Sequence, residues 1–430
     1  MGVYRSTNSP GIKIVGPSES CKRVPISEAT RLLLCDFATG DLDLPLHEVN
    51  ADWDEVFRGI CRHGLLGLAH RYITRSTTVN DDPPESFRQA VGQAYRQRSF
   101  RQLMMVRQIR VILAFLLDQG IEFLVLKGPV LAHQVYPDPF LRFYNDLDIV
   151  VREEDALVIH RALTAEGFEA LDGLVELPPK IVPQAVIYER KYWSMERKLL
   201  VEVHYDDLLN AGLSSRDVDG FWERAVAIRL EGVPVRTLCL EDQLVYLCAH
   251  VHYHGYPRLN WLSDIAFIVR DHADELNWEQ VERTAHREEA EVGVYYTLFF
   301  LDKLLGVRVP DEVIEAVKPD AFRRWTHERL LPEDKVVSLQ PMWRPDFSFY
   351  FTPVLKRMLP DLLVMGRRVE KVRYLFRLLV PPRAWLRHYY RLEGSRGLWV
   401  HYLLHPLKLI WHLGEEVVGM VLGKLRKGAG

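Results

Sequence analysis

The stretch LKGPVLAHQVYPDPFLRFYNDLDIVV, residues 126–151, decides how this chain is read. It opens at the end of a short apolar run, IEFLVLKG (121–128), that has the composition of a buried strand. PVLAHQVY then suits a short helix, because Pro129 is tolerated in a first turn. The prolines of YPDPFLRFYN and its Asn145 mark a loop, and DLDIVV is a second strand. Side chains alternate along a strand, so Asp146 and Asp148 point to one face while Leu147 and Ile149 point to the other. Two carboxylates held side by side repel unless a cation sits between them. Magnesium suits such a pair, since hard cations take oxygen ligands and phosphates can complete the shell. A lone D-x-D is equally the end of a strand on a solvated face.

Neighbouring residues extend the pattern. A hairpin is expected over 184–205, from AVIYERKYWS and KLLVEVHY, with Met195-Glu196-Arg197 as a turn without glycine. In its second strand Glu202 lies between Val201 and Val203 and faces away from them. If that strand lies beside DLDIVV, Glu202 becomes a third carboxylate for one or two metal ions. Otherwise it is an exposed position on an edge strand. His204 shares its face and can touch substrate or metal, or pair with a carboxylate. Lys127-Gly128 stands where a strand gives way to a helix, so it can offer an ammonium group and a close backbone approach to phosphate. A plain turn would look the same. Arg142, four residues before Asp146, is in reach of a triphosphate or is a solvated loop charge.

Outward from this centre the chain reads as helical. In SFRQLMMVRQIRVILAFLLDQG the residues Leu103, Val106, Ile109, Ile112, Leu113 and Leu116 recur at helical spacing, and Gly120 stands at the stop. REEDALVIHRALTAEGF is a helix closing at Gly167. EDQLVYLCAHVHYHG, LSDIAFIVRDH and WEQVERTAHREEAEVGVYYTLFFLDKLLG continue the helical pattern. His250 and His254 are four apart, a spacing that can bind zinc, but neither a third ligand nor an H-E-x-x-H pattern accompanies them. A structural role serves His250 equally well. No G-x-S-x-G, Walker or G-x-G-x-x-G motif occurs, which removes hydrolase, P-loop and Rossmann readings.

The ordered set Lys127-Gly128, Tyr136-Pro137, Arg142, Asp146-x-Asp148 and Glu202-x-His204 resembles the nucleotidyltransferase superfamily with the DNA polymerase β-like fold. It is closest to the bacterial group described as uncharacterised nucleotidyltransferases, in which a helical module follows the acids. The resemblance covers roughly residues 50–310. It implies an α+β fold, a mixed sheet flanked by large N- and C-terminal helical regions. It implies Mg2+ (or Mn2+) held by Asp146, Asp148 and Glu202, and transfer of a nucleoside monophosphate from an NTP, ATP first, to an acceptor hydroxyl with release of pyrophosphate. It places Lys127, Gly128, Arg142, His204, His250, His254 and Arg258 about the nucleotide, with Asp264 part of the helical module's pattern. The acceptor is left open between a small molecule, a peptide, a protein and tRNA, the last two in a toxin-like transferase. A catalytically idle nucleotide-binding or scaffold protein is the rival from another class.

The expected organisation is a leader over 1–24, a helical region over 25–120, a catalytic core over 121–235, a helical module over 236–317 and a basic helical region over 318–430. The 430 residues are 48% hydrophobic and 26% charged, which suits a globular chain able to bury a core. The net charge of −3 is a cancellation: residues 356–427 carry fifteen Lys/Arg and five Asp/Glu, leaving about −13 elsewhere. Trp385, Tyr389, Tyr390, Trp399, Tyr402 and Trp411 are interleaved with those cations. Such a tail either packs on the acidic body or touches anionic lipid or nucleic acid. Five cysteines without a C-x-x-C pair, no leader with an apolar centre and no long apolar run make the expected location cytoplasmic, with peripheral membrane contact through the tail.

Overall fold

A computed structural model describes residues 26–75, 83–171, 189–205, 217–321 and 323–325, with short pieces between 371 and 411. The expected leader, the first half of the expected hairpin strand and most of the basic tail lie outside the described residues.

Four helices come first: α1 (Glu28–Thr39), α2 (Trp53–His63), α3 (Leu66–Arg75) and the long α4 (Glu85–Asp118). The first two have capped starts and stops. Ser27 and Asp52 cap α1 and α2 with side-chain oxygens, and Gly40 and Gly64 end them in the left-handed conformation. Then follow β1 (Leu124–Leu126), α5 (Gly128–Gln134), β2 (Asp146–Val151), α6 (Ala156–Ala165), β3 (Glu169–Ala170), β4 (Glu189–Ser194), β5 (Leu199–Tyr205), α7 (Val218–Arg224), β6 (Val226–Leu230) and β7 (Val233–Thr237). The chain goes on through α8 (Leu240–Tyr253), α9 (Leu259–Asp271), α10 (Trp278–Arg287), α11 (Glu291–Leu305) and α12 (Asp311–Ala316).

The strands form one seven-stranded mixed sheet in the order β3-β4-β5-β2-β1-β7-β6. The expected hairpin is β4–β5, and its turn takes a positive φ at Lys198 in place of glycine. β5 lies parallel to β2, with Asp148 opposite Glu202 and Val150 opposite His204. A second hairpin, β6–β7, was not anticipated; its two turn residues, Glu231 and Gly232, both have positive φ, as a two-residue hairpin turn requires.

The two faces of the sheet serve different cores. Leu147, Ile149, Val151, Val201 and Val203 pack with Ile109, Ile112, Leu113 and Leu116 of α4 and Ile159 and Leu163 of α6. On the other face, Leu124, Leu126 and Val150 join a larger cluster built from α1–α3 and α8–α11. α4 contributes to both clusters, through Phe87 and Val91 to the larger and from Ile109 onward to the other. Its middle turns therefore lie between the two cores, and Leu103, expected on the buried face, is 54% exposed. Where α3 crosses the turn at 139–141, a Cβ on Gly67 would lie 2.5 Å from the Leu141 carbonyl oxygen, so only glycine permits that approach.

Candidate metal and nucleotide site

Because Leu147, Ile149, Val201 and Val203 claim one face, the carboxylates of Asp146, Asp148 and Glu202 and the imidazole of His204 emerge on the other, toward the helical module. Asp148, Glu202 and His204 are buried, and one ligand atom of each lies within 4.8 Å of the other two. His204 Nε2 is 3.2 Å from Asp148 Oδ1. Asp146 stands beside this group at the start of β2, half-buried and outside the ligand cluster. The set that comes together is thus two carboxylates and an imidazole, with His204 where the sequence reading placed Asp146.

Two lysines answer the acids. Lys127 Nζ donates to Asp148 Oδ1 at 3.0 Å and lies 5.6 Å over the Tyr246 ring of α8. Lys191, directly across from Glu202 in the β4–β5 ladder, donates to its Oε1 at 2.5 Å. Burial by itself would raise the Asp148 carboxyl, but Lys127 and His204 outweigh it and hold it well below the usual carboxylate range. Burial would lower the Lys127 ammonium, yet Asp148, Tyr246 and Glu202 keep it well above its usual value, so it is charged. Asp146 is shifted the other way: loss of water and then the Asp148 charge raise it.

Lys127 is held in a conformation that a side chain rarely adopts, with φ 49 and ψ −126, as it turns β1 into α5. Gly128 follows because there is no room for anything larger: its Cβ would lie 2.6 Å from Tyr144 Cβ. Arg142 is buried, and its Nε and Nη2 donate to the two oxygens of Asp264 on α9 at 2.6 and 2.8 Å. Its Nη1 donates to the Phe143 carbonyl, and Tyr136 adds a hydroxyl bond to Asp264 at 2.7 Å. Arg142 therefore ties the loop before Asp146 to α9 and meets a carboxylate where a triphosphate was expected.

The histidines of α8 divide. His250 and His254 stand 4.5 Å apart between ring centroids, both against Trp261 of α9. Burial, then Lys127 and His254, drive His250 well below its usual value and make it neutral. His252 turns instead to Tyr256 and to Tyr296 of α11. Among the described residues, these three histidines enter no three-residue cluster of metal-ligand type. Arg258 immediately precedes α9, half-buried. Lys191, Tyr246 and Trp261 escaped the sequence reading; for Lys191 the signal was available, since opposite charges face each other across the hairpin.

The donor set fits a divalent cation. Carboxylate oxygens suit Mg2+ or Mn2+, imidazole suits transition metals, and Mn2+ accepts both. The two half-buried lysines answer a concentration of negative charge at this place.

No curated protein matches the chain. Among solved structures it is similar to the crystal structure of an antigenic nucleotidyltransferase-like protein from Paracoccidioides brasiliensis, at 14% identity over 49% of this chain and 96% of that one, with a TM-score of 0.31. The family described as uncharacterised nucleotidyltransferase matches residues 50–306. That span takes in α2 to α11, the whole sheet and every residue of the cluster, and the chain belongs to this family.

Proposed function

We propose that this protein transfers a nucleoside monophosphate from an NTP, ATP first, to an acceptor hydroxyl, with pyrophosphate leaving. The observation that carries the reading is the buried Asp148–Glu202–His204 group with Lys127 bonded to it. A bound Mn2+ or Mg2+ would supply charge to the phosphates and lower the pKa of a coordinated oxygen. Asp148, Glu202 and His204 would hold it, with Asp146 beside them for the acceptor or a second ion. Lys127 offers an ammonium group at the edge of the same group, where charge on the phosphates can be stabilised. His250, neutral and close to Lys127, stands on the α8 side of this group. The acceptor is a small molecule, peptide, protein or tRNA.

The test is a titration of ATP, GTP, CTP and UTP with Mg2+ or Mn2+, wild type against Asp148→Asn and Asp146→Ala. The expected result is metal-dependent binding, stronger with Mn2+, that Asp148→Asn abolishes. The idle nucleotide-binding reading is favoured by one observation: Lys127 and Lys191 already neutralise Asp148 and Glu202. Equal NTP binding in EDTA, with no transfer, would establish that reading instead.

We also infer that the basic tail rests on an anionic membrane surface. In the helix over 398–411, Trp399, Leu403, Leu407 and Trp411 recur every four residues and are 62–69% exposed. Such a face, in a stretch of sequence rich in Lys and Arg, suits a lipid interface better than a nucleic-acid groove. No helix among the described residues is long and apolar enough to cross a membrane. In liposome flotation, phosphatidylserine vesicles should carry the protein upward and neutral vesicles should not. Trp399→Ser with Trp411→Ser should abolish flotation. A protein that stays at the bottom with both vesicle types ends this idea.

A further inference from the structure

Beside Asp146, three arginines come together from separate parts of the fold. Arg62 lies in the last turn of α2, Arg98 in the middle of α4, and Arg258 just before α9. The helices are locked to one another there. The first N–H of α9 donates to His63 Nδ1 at 3.2 Å, and a Cβ on Gly64 would lie 2.7 Å from Asn260 Nδ2. Arg98 donates to the Tyr144 carbonyl at 2.8 Å and to the Asn145 side chain, the two residues before Asp146.

These cations are poorly matched. Arg142 next to them is neutralised by Asp264. Among the described residues neither Arg62 nor Arg258 has an ion pair or side-chain hydrogen bond, and Arg62 Nε is buried without a partner. After burial, what lowers Arg258 is Arg62 and Arg142, and what lowers Arg98 is Arg101 and then Arg258; Asp146 is the carboxylate that offsets them. Three half-buried guanidinium groups around one acid are destabilising unless a further anion joins them. A guanidinium fork matches phosphate oxygens two at a time.

We propose that Arg62, Arg98 and Arg258 form a subsite for a phosphate group beside Asp146. It deepens the transferase reading and rests on it only for which substrate carries that phosphate, the nucleotide or the acceptor.

Inorganic pyrophosphate in EDTA is the probe, since it needs no metal and no knowledge of the acceptor. Calorimetric titration of the full chain compares wild type with Arg62→Gln and Arg258→Gln. Arg98 is left in place because it also holds the loop. Each variant should bind pyrophosphate about tenfold or more weakly, with Arg258→Lys intermediate and the urea midpoint without anion no lower than in wild type. No binding by wild type, or affinities within about twofold in both variants, overturns the proposal. A second arm uses ATP with Mn2+. An equal loss of ATP affinity in Arg258→Gln assigns the phosphate to the nucleotide, and an unchanged ATP affinity assigns it to the acceptor. Asp148→Asn should retain pyrophosphate in EDTA, so failure of the metal site and failure of this subsite are separable.

Discussion

Asp264 lies on α9, yet it governs how Asp146 is presented. It accepts both ends of the Arg142 guanidinium and the Tyr136 hydroxyl, and so closes the loop that leads into β2. Acid and base are both nearly excluded from water, with side chains 1% and 8% exposed. Removing one charge of such a pair strands the other, at a cost of about 3–5 kcal/mol. Asp264→Asn should therefore lower the unfolding free energy by that order, read from the urea midpoint, and weaken NTP binding although it touches no ligand. A variant as stable as wild type would show that the pair contributes little. The contrast with Asp148 marks the limit of what residue spacing reveals. Asp146 and Asp148 were legible because two-residue spacing in a strand means a shared face. Arg142 was ambiguous because its partner is 122 residues further on, and nothing local announces it.

Elements were legible where pattern and packing agree. The D-x-D strand, the strand before Lys127 and the β4–β5 hairpin stand where the alternation placed them. α4 shows the opposite case. A 34-residue helix that passes from one core to another cannot keep one apolar stripe inward, so Leu103 reaches solvent although it fits the period, and Phe100 near it is exposed too. In α8 the periodicity was clear but the division of labour among its histidines was not. Burial between α8 and α11 takes His252 down to about 4, from an ordinary value near 6.5. The unfolded chain takes up this proton below about 6.5, whereas the folded chain waits until about 4. Stability is thus complete above the upper value and lost as pH falls through the window, by about 1.4 kcal/mol per unit at most. Urea midpoints at pH 7.5 and 4.5 should differ less in His252→Gln than in wild type. An identical difference in both proteins would refute the account.

At the level of the molecule, strands and long helical periods could be read along the chain, and the fold class came with the family resemblance that the motifs on them carry. What composition could not convey is how the helices share their cores. Residues of α1–α3 and of α8–α11 belong to one cluster, with Ser263 of α9 donating to the Ala38 carbonyl at 2.7 Å. The arginine cluster exists only because of that long-range packing, and so was invisible along the chain. The parallel pairing of β2 with β5 has a further consequence, for the order of events in folding. Asp148 and His204 are 56 residues apart, and a parallel pair of strands cannot close through a tight turn. Loop closure over that distance is an entropic cost that local helices and hairpins do not bear. A nascent chain that has emerged only through α6 already carries Lys127, Asp146 and Asp148, but not Glu202 or His204. The two aspartates must then wait with the lysine alone for company, and the Asp148–Glu202–His204 group cannot assemble before β5 has formed beside β2.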